Sequence, residues 1–213
     1  MVAFDTAEAT QAYRSRCEDR VVVVHLDNRV VIGVADGAGG TGSGGAAAES
    51  VVKAIGAHSS QCHNENDWIR LLSQLDQEIA PGESTAVVVD VRADGLSGAS
   101  VGDSRAWIVC EGDVTDLTVK QVRKPLLGSG GAHAVGFTSG PLQGVLVAAT
   151  DGFFNYVAKE RVPPLLAQAD FYTLPRKLID LVRLPSGEFW DDVGIVVCRP
   201  TPARRTRERY VIR

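Results

Sequence analysis

The sequence predicts a mixed α/β domain built mainly on antiparallel sheet, and three observations carry that expectation. Hydrophobic periodicity alternates between two and that of a helix, in the order strands, two helices, strands, two helices, strand. Neighbouring strand-like runs are separated by tight-turn residues, so they pair as hairpins rather than through helical crossovers. The 213 residues, 45% apolar and 23% charged, suffice for one domain with a packed core.

The elements follow in order. Residues 21–26 and 29–35 are β-like and are joined by Asp27-Asn28, two residues that tolerate positive φ in a tight hairpin. Gly37-Ala38-Gly39-Gly40-Thr41-Gly42-Ser43-Gly44-Gly45 is a glycine-dense loop. Residues 46–57 then carry Ala47, Val51, Ala54 and Ile55 on one helical face. A second helix is expected over 67–79, with Asp67 as its cap and Ile69, Leu72 and Leu75 turned inward. From residue 84 the period returns to two: 85–91 and 96–101 flank Asp94-Gly95, and 105–110 is followed by 114–119. Residues 120–144 are polar and glycine-rich and read as a long loop. Strands at 145–150 and 193–198 close the pattern. Between them Pro163-Pro164 and Pro175 mark two helix starts, where a missing N–H costs nothing.

Charge and cysteine usage exclude several classes. The formal charge is −4, but residues 199–213 hold six arginines and one glutamate, leaving −9 on the body. A net acidic body argues against nucleic-acid binding, which needs clustered Lys and Arg. Residues 1–198 are expected to form one domain, with 199–213 a solvated Arg-rich extension. The most apolar stretch, residues 30–35, is far short of a bilayer span, and residues 1–8 lack the pattern of a secretory signal. Cys17, Cys62, Cys110 and Cys198 are widely spaced, which fits a reducing cytoplasm and predicts no structural zinc; Cys110 and Cys198 read as small buried apolar residues.

The aspartates fall at strand ends. A two-residue turn at Asp27-Asn28 fixes a hairpin register in which Asp19 lies opposite Asp36. Like charges so placed repel, by roughly 4 kcal/mol at a 4 Å separation near a protein surface. Such a pair either protonates or binds a cation. Asp151 follows the strand 145–150, and Asp191-Asp192 precede 193–198, so Asp19, Asp36, Asp151 and Asp191 are placed to meet at one sheet edge. An oxygen-only ligand set without His or Cys suits Mg²⁺ or Mn²⁺ rather than zinc. The glycine loop lacks the Lys-[Ser/Thr] ending of a nucleotide-binding P-loop.

Asp36-Gly37-Ala38-Gly39-Gly40, Gly102-Asp103-Ser104-Arg105-Ala106, Ala149-Thr150-Asp151-Gly152-Phe153 and Asp191-Asp192-Val193-Gly194-Ile195-Val196-Val197 resemble, in order, the motifs of the metal-dependent type 2C serine/threonine phosphatases. Arg14-Ser15-Arg16-Cys17-Glu18-Asp19 is similar to that family's opening motif, so the resemblance spans about residues 14 to 198. It implies a sandwich of two antiparallel sheets flanked by helices, with two Mn²⁺ or Mg²⁺ ions activating water for attack on a phosphomonoester. By the same resemblance, Asp36 bridges both metals, the Gly37 carbonyl binds one, and Asp151 and Asp191 complete the second metal's ligands. Asp19 and Glu18 act mainly through bound waters, Asp103 and Asp151 help hold a weaker third ion, and Arg14 grips the phosphate with its bidentate fork. The implied substrate is a phosphoserine or phosphothreonine protein supplied by a cognate kinase, and the implied state is a monomer. A catalytically weak module that binds phosphoproteins or regulates is the alternative; the complete set of ligand matches favours activity. The sequence departs from the family pattern at Ala38 (commonly His or Met), at Gly194 (usually Ser or Thr) and in the short 120–144 segment, which is too brief for a large flap.

Overall fold

A computed structural model describes residues 3–38 and 43–202; residues 39–42 of the glycine loop expected over 37–45, and residues 203–213 of the arginine-rich extension, lie outside the described residues. The first strand, β1 (Phe4–Gln11), precedes the expected hairpin of β2 (Arg20–Leu26) and β3 (Arg29–Ala35). A two-residue strand β4 (Gly37–Ala38) leads to helices α1 (Gly44–His58) and α2 (Glu65–Glu78). The short β5 (Glu83–Ser84) pairs back with β4. There follow β6 (Ala86–Arg92), β7 (Leu96–Val101), β8 (Arg105–Cys110), β9 (Asp113–Asp116), β10 (Val135–Ser139) and β11 (Val145–Ala149). The chain finishes with α3 (Asp151–Phe154), α4 (Val162–Gln168), α5 (Leu174–Asp180) and β12 (Val193–Pro200).

Two five-stranded antiparallel sheets form, one in the order β1-β12-β11-β8-β9 and the other β10-β7-β6-β3-β2. Val30, Ile32, Val34, Val87 and Val89 of one sheet meet Ala106, Leu146, Ala148, Val196 and Cys198 of the other between them. The outer face of the β3 sheet packs against α1 and α2 through Val31, Val51, Ile55, Trp68 and Leu72. The outer face of the β12 sheet packs under α3, α4 and α5 through Trp107, Val147, Phe153, Leu174 and Leu178. Covering on both faces explains why all seven residues of β3 are buried and why its sequence is continuously apolar rather than alternating.

The hairpin register is as expected, with Arg20 opposite Ala35 and Leu26 opposite Arg29. Pro163-Pro164 and Pro175 open the helices α4 and α5, as expected. Several expectations are corrected. The cap of α2 is Asn64, whose side chain accepts from the N–H groups of Asn66 and Asp67; Asp67 instead reaches back to the His63 N–H at 2.9 Å. The strand at 114–119 is confined to Asp113–Asp116, and the long loop at 120–144 contains the edge strand β10. Cys110 is only half-buried, whereas Cys198 is fully buried. The last strand runs on to Pro200 because β1 pairs along its whole length, Phe4 with Pro200 through Gln11 with Val193. Arg199 therefore belongs to the folded body, paired with Asp5 at 3.1 Å.

Candidate metal centre

Aspartates from both sheets converge at one end of the sandwich, not at the edge of a single sheet. Asp19 precedes β2 and Asp36 follows β3 in one sheet; Asp151 follows β11 and Asp191 precedes β12 in the other. Asp103 sits in the turn between β7 and β8. Carboxylate oxygens of Asp36, Asp103 and Asp151 lie within 4.8 Å of one another. Asp19 continues the β2–β3 register to face Asp36 and is 2% exposed.

The electrostatics follow from that crowding. Burial, reinforced by the charges of Asp19 and Asp151, pushes the Asp36 carboxyl up to about 9. Burial pushes Asp19 up to about 7, against the lowering effect of Thr150. Asp151 is raised by burial and then by Asp103 and Asp191, and Asp191 is raised mainly by burial. Uncompensated negative charge of this kind is relieved by a cation. One buried oxygen of Asp19, Oδ2, has no hydrogen-bond partner among the described residues. An orphaned buried carboxylate oxygen beside an all-oxygen donor set fits a hard divalent ion.

Local structure holds each group in place. The Asp36 N–H donates to Thr85 Oγ1, and the Thr85 N–H donates to the Asp36 carbonyl, both at 2.9 Å. Gly37 and Gly44 touch backbone to backbone: a Cβ on Gly37 would lie 2.3 Å from the Gly44 carbonyl. The start of α1 is thereby drawn against β4, with the Glu18 carboxylate beside Gly44, where the N-terminal end of the helix dipole favours negative charge. Gly152 serves the opposite side, since a Cβ there would fall 1.9 Å from the Asp192 carbonyl oxygen.

Three partners of the predicted residues were not legible in sequence. Asp192 accepts the N–H of Tyr13 at 2.6 Å and that of Glu18 at 2.5 Å, tying the segment that carries Arg14 to the strand entry beside Asp191. Asn155, one turn after Asp151, donates to its Oδ2 at 2.9 Å. Arg123 pairs with Asp103 at 2.6 Å. The i, i+4 spacing of Asp151 and Asn155 was the one available signal. Arg14 itself is exposed, its guanidinium over the Tyr13 ring at 4.9 Å, with no hydrogen bond to the aspartates among the described residues.

The short segment after β9 is pinned rather than free. Buried Asp76 of α2 accepts the N–H groups of Gly128, Gly130 and Ala132 at 2.9–3.0 Å. His133, which follows, is exposed.

No protein-family model matches the chain, and no curated protein matches it in sequence. Its fold is nevertheless that of solved bacterial serine/threonine phosphatases. The S. agalactiae serine/threonine phosphatase superposes with a TM-score of 0.80 at 18% identity, over 92% of this chain and 99% of that one. The catalytic domain of the serine/threonine phosphatase PstP, solved with two manganese ions, gives 0.77 at 16% identity over 94% and 99%. Stp1 from Staphylococcus aureus gives 0.75 at 17% identity over 93% and 94%. The likeness establishes the sandwich architecture expected from the motifs.

Proposed function

We propose that this chain is a metal-dependent serine/threonine phosphoprotein phosphatase. The observation that carries the reading is the convergence of Asp36, Asp103 and Asp151 within 4.8 Å, flanked by Asp19 and Asp191, on this fold. Two Mn²⁺ or Mg²⁺ ions held there supply Lewis acidity and charge neutralisation for in-line displacement at phosphorus. Asp36, the Gly37 carbonyl, Asp151 and Asp191 would hold these ions, and Asp103 with Asp151 would hold a weaker third. Asp19 and Glu18 stand behind them, Asp19 through its orphaned oxygen. Arg14 receives the phosphate of the substrate, and Asp192 fixes the backbone on either side of it. Cys17, next to Glu18 and Asp19 in the chain, is a poor nucleophile: burial, then Asp19, pushes its thiol up to about 12, far from thiolate formation at neutral pH.

The partner is a phosphoserine or phosphothreonine protein, modified by a cognate kinase, and the chain acts as a cytoplasmic monomer. No helix among the described residues is long and apolar enough to cross a membrane. The test is hydrolysis of a small aryl phosphate with Mn²⁺ present. Asp36→Ala and Asp191→Ala are expected to fall to the level seen with EDTA, while circular dichroism shows a folded protein. Full activity of either variant, or of the wild type in excess chelator, overturns the metal-dependent mechanism; no hydrolysis by the folded wild type with Mn²⁺ present overturns the reading in favour of a phosphoprotein-binding module.

A further inference from the structure

Among the described residues, buried and half-buried arginines face carboxylates, with one exception. Arg20 pairs with Glu49 at 2.8 Å, Arg29 and Arg92 with Asp90 at 2.5 and 2.8 Å, and Arg199 with Asp5 at 3.1 Å. The side chain of Arg105, half-buried at the start of β8, has no hydrogen bond or ion pair among the described residues. A guanidinium stays protonated at any pH the protein survives, and partial loss of its water without a counter-ion is costly. Arg105 therefore calls for an anion that the folded chain does not supply.

Its surroundings say which. Arg105 lines a cavity of about 280 Å³ together with Asp103, Gln121, Arg123 and Asn155. Asp103 belongs to the acidic cluster, and Asn155 holds Asp151, so cavity and cluster share a wall. Arg123 is committed to Asp103. Asp116, the other carboxylate at the cavity, accepts the N–H and hydroxyl of Thr118 on Oδ1 at 2.8 and 2.7 Å and makes no ion pair with Arg105. Arg105 is left as the cation at this cavity whose side chain has no partner among the described residues, in a space large enough for an acidic side chain.

We propose that this cavity is a second anion subsite, in which Arg105 receives an oxyanion that the substrate peptide carries next to its phosphoserine or phosphothreonine. The inference rests on the phosphatase reading and names its substrate class: phosphopeptides with an acidic or second phosphorylated residue beside the target. A bidentate guanidinium–oxyanion pair suits either source.

The experiment compares phosphoserine peptides that differ only in flanking residues: Glu, Gln or a second phosphoserine. In wild type, kcat/KM for the Glu peptide is expected to exceed that for the Gln peptide by roughly tenfold, the scale of one charge-assisted hydrogen bond. Greater preference for the doubly phosphorylated peptide would identify phosphoryl as the better occupant. In Arg105→Gln the ratios should approach one. A ratio near one in wild type, a ratio that survives Arg105→Gln, or an equal fall for all peptides in that variant overturns the subsite. A second readout needs no turnover: the Nε–H NMR signal that Arg105→Gln removes should shift on titration with the dephosphorylated Glu peptide and not with the Gln peptide. That shift without hydrolysis would keep the subsite and refute the phosphatase reading; no shift refutes the subsite.

Discussion

Asp36 and Asp19 show how a single pair of side chains ties stability to function. Both carboxyls are raised above the ordinary value of 3.8 by burial, to about 9 and about 7. A group that binds its proton more tightly when folded contributes stability fully below its unfolded pKa and loses it as pH rises through the folded value. The metal-free protein should therefore melt at progressively lower temperature between about pH 5 and pH 9, with Mg²⁺ reversing the loss at the alkaline end. A melting temperature that climbs with pH in the absence of metal would contradict the burial of this pair. Arg14 belongs to a different function: Arg14→Ala should lower kcat/KM on a phosphopeptide while leaving the affinity for Mn²⁺ nearly unchanged, and wild-type kinetics would move the phosphate elsewhere. Ala38 offers no proton to a departing oxygen, and His133 is exposed with no hydrogen bond or ion pair to an aspartate among the described residues. Aryl phosphate, whose leaving group needs little acid, should turn over much faster than phosphoserine peptide. His133→Ala should change phosphopeptide hydrolysis less than about tenfold, below the usual range for loss of a general acid. Register arithmetic made the Asp19–Asp36 pair legible in advance, because period-two pairing converts a turn into a list of opposite residues. Asp192 was hidden for the complementary reason: its two acceptor contacts go to backbone N–H groups about 175 residues away, which no local pattern encodes.

Helix α1 and strand β4 meet through glycine, and that contact sets the position of Asp36. Gly37→Ala would force a methyl to within 2.3 Å of the Gly44 backbone and must push the two elements apart. The expected outcome is weakened Mn²⁺ binding at least as large as the loss of thermal stability, measured side by side; unchanged metal affinity would show that the contact does not position the ligands. At the other end of the helix, buried Arg29 donates to the carbonyls of Ser59 and Cys62 and pairs with fully buried Asp90. Arg29→Met removes the main counter-ion and leaves Asp90 with Arg92 alone, so urea unfolding should show a loss of about 3–5 kcal/mol. The hairpin strands were readable because both of their faces are covered and their composition is almost wholly β-branched. Two of the four edge strands, β1 and β10, were not. Phe4–Gln11 and Val135–Ser139 each pair on one side only, tolerate Thr, Gln, Ser and Gly, and so carry no alternating signal.

The sandwich as a body explains why the acidic cluster exists at all. Each sheet delivers aspartates to the same end, and closing the two sheets on the core of Val30, Ile32, Leu146 and Val196 drives carboxylates together. Burial of four such side chains favours folding by roughly 1.5–3 kcal/mol each, which outweighs repulsion that a cation can later remove. Antiparallel pairing was legible from turn chemistry, whereas the two-sheet sandwich was legible only through the motif resemblance: strand order depends on long-range closure, and hairpins alone fit one sheet as well as two. The Mn²⁺ dependence of phosphate release from a phosphoserine peptide tests the whole account most directly. Release should be absent in chelator, rise saturably as Mn²⁺ is added back, and disappear in Asp36→Asn at every metal concentration. Release that persists in chelator, or an Asp36→Asn protein with the wild-type metal dependence, would contradict it.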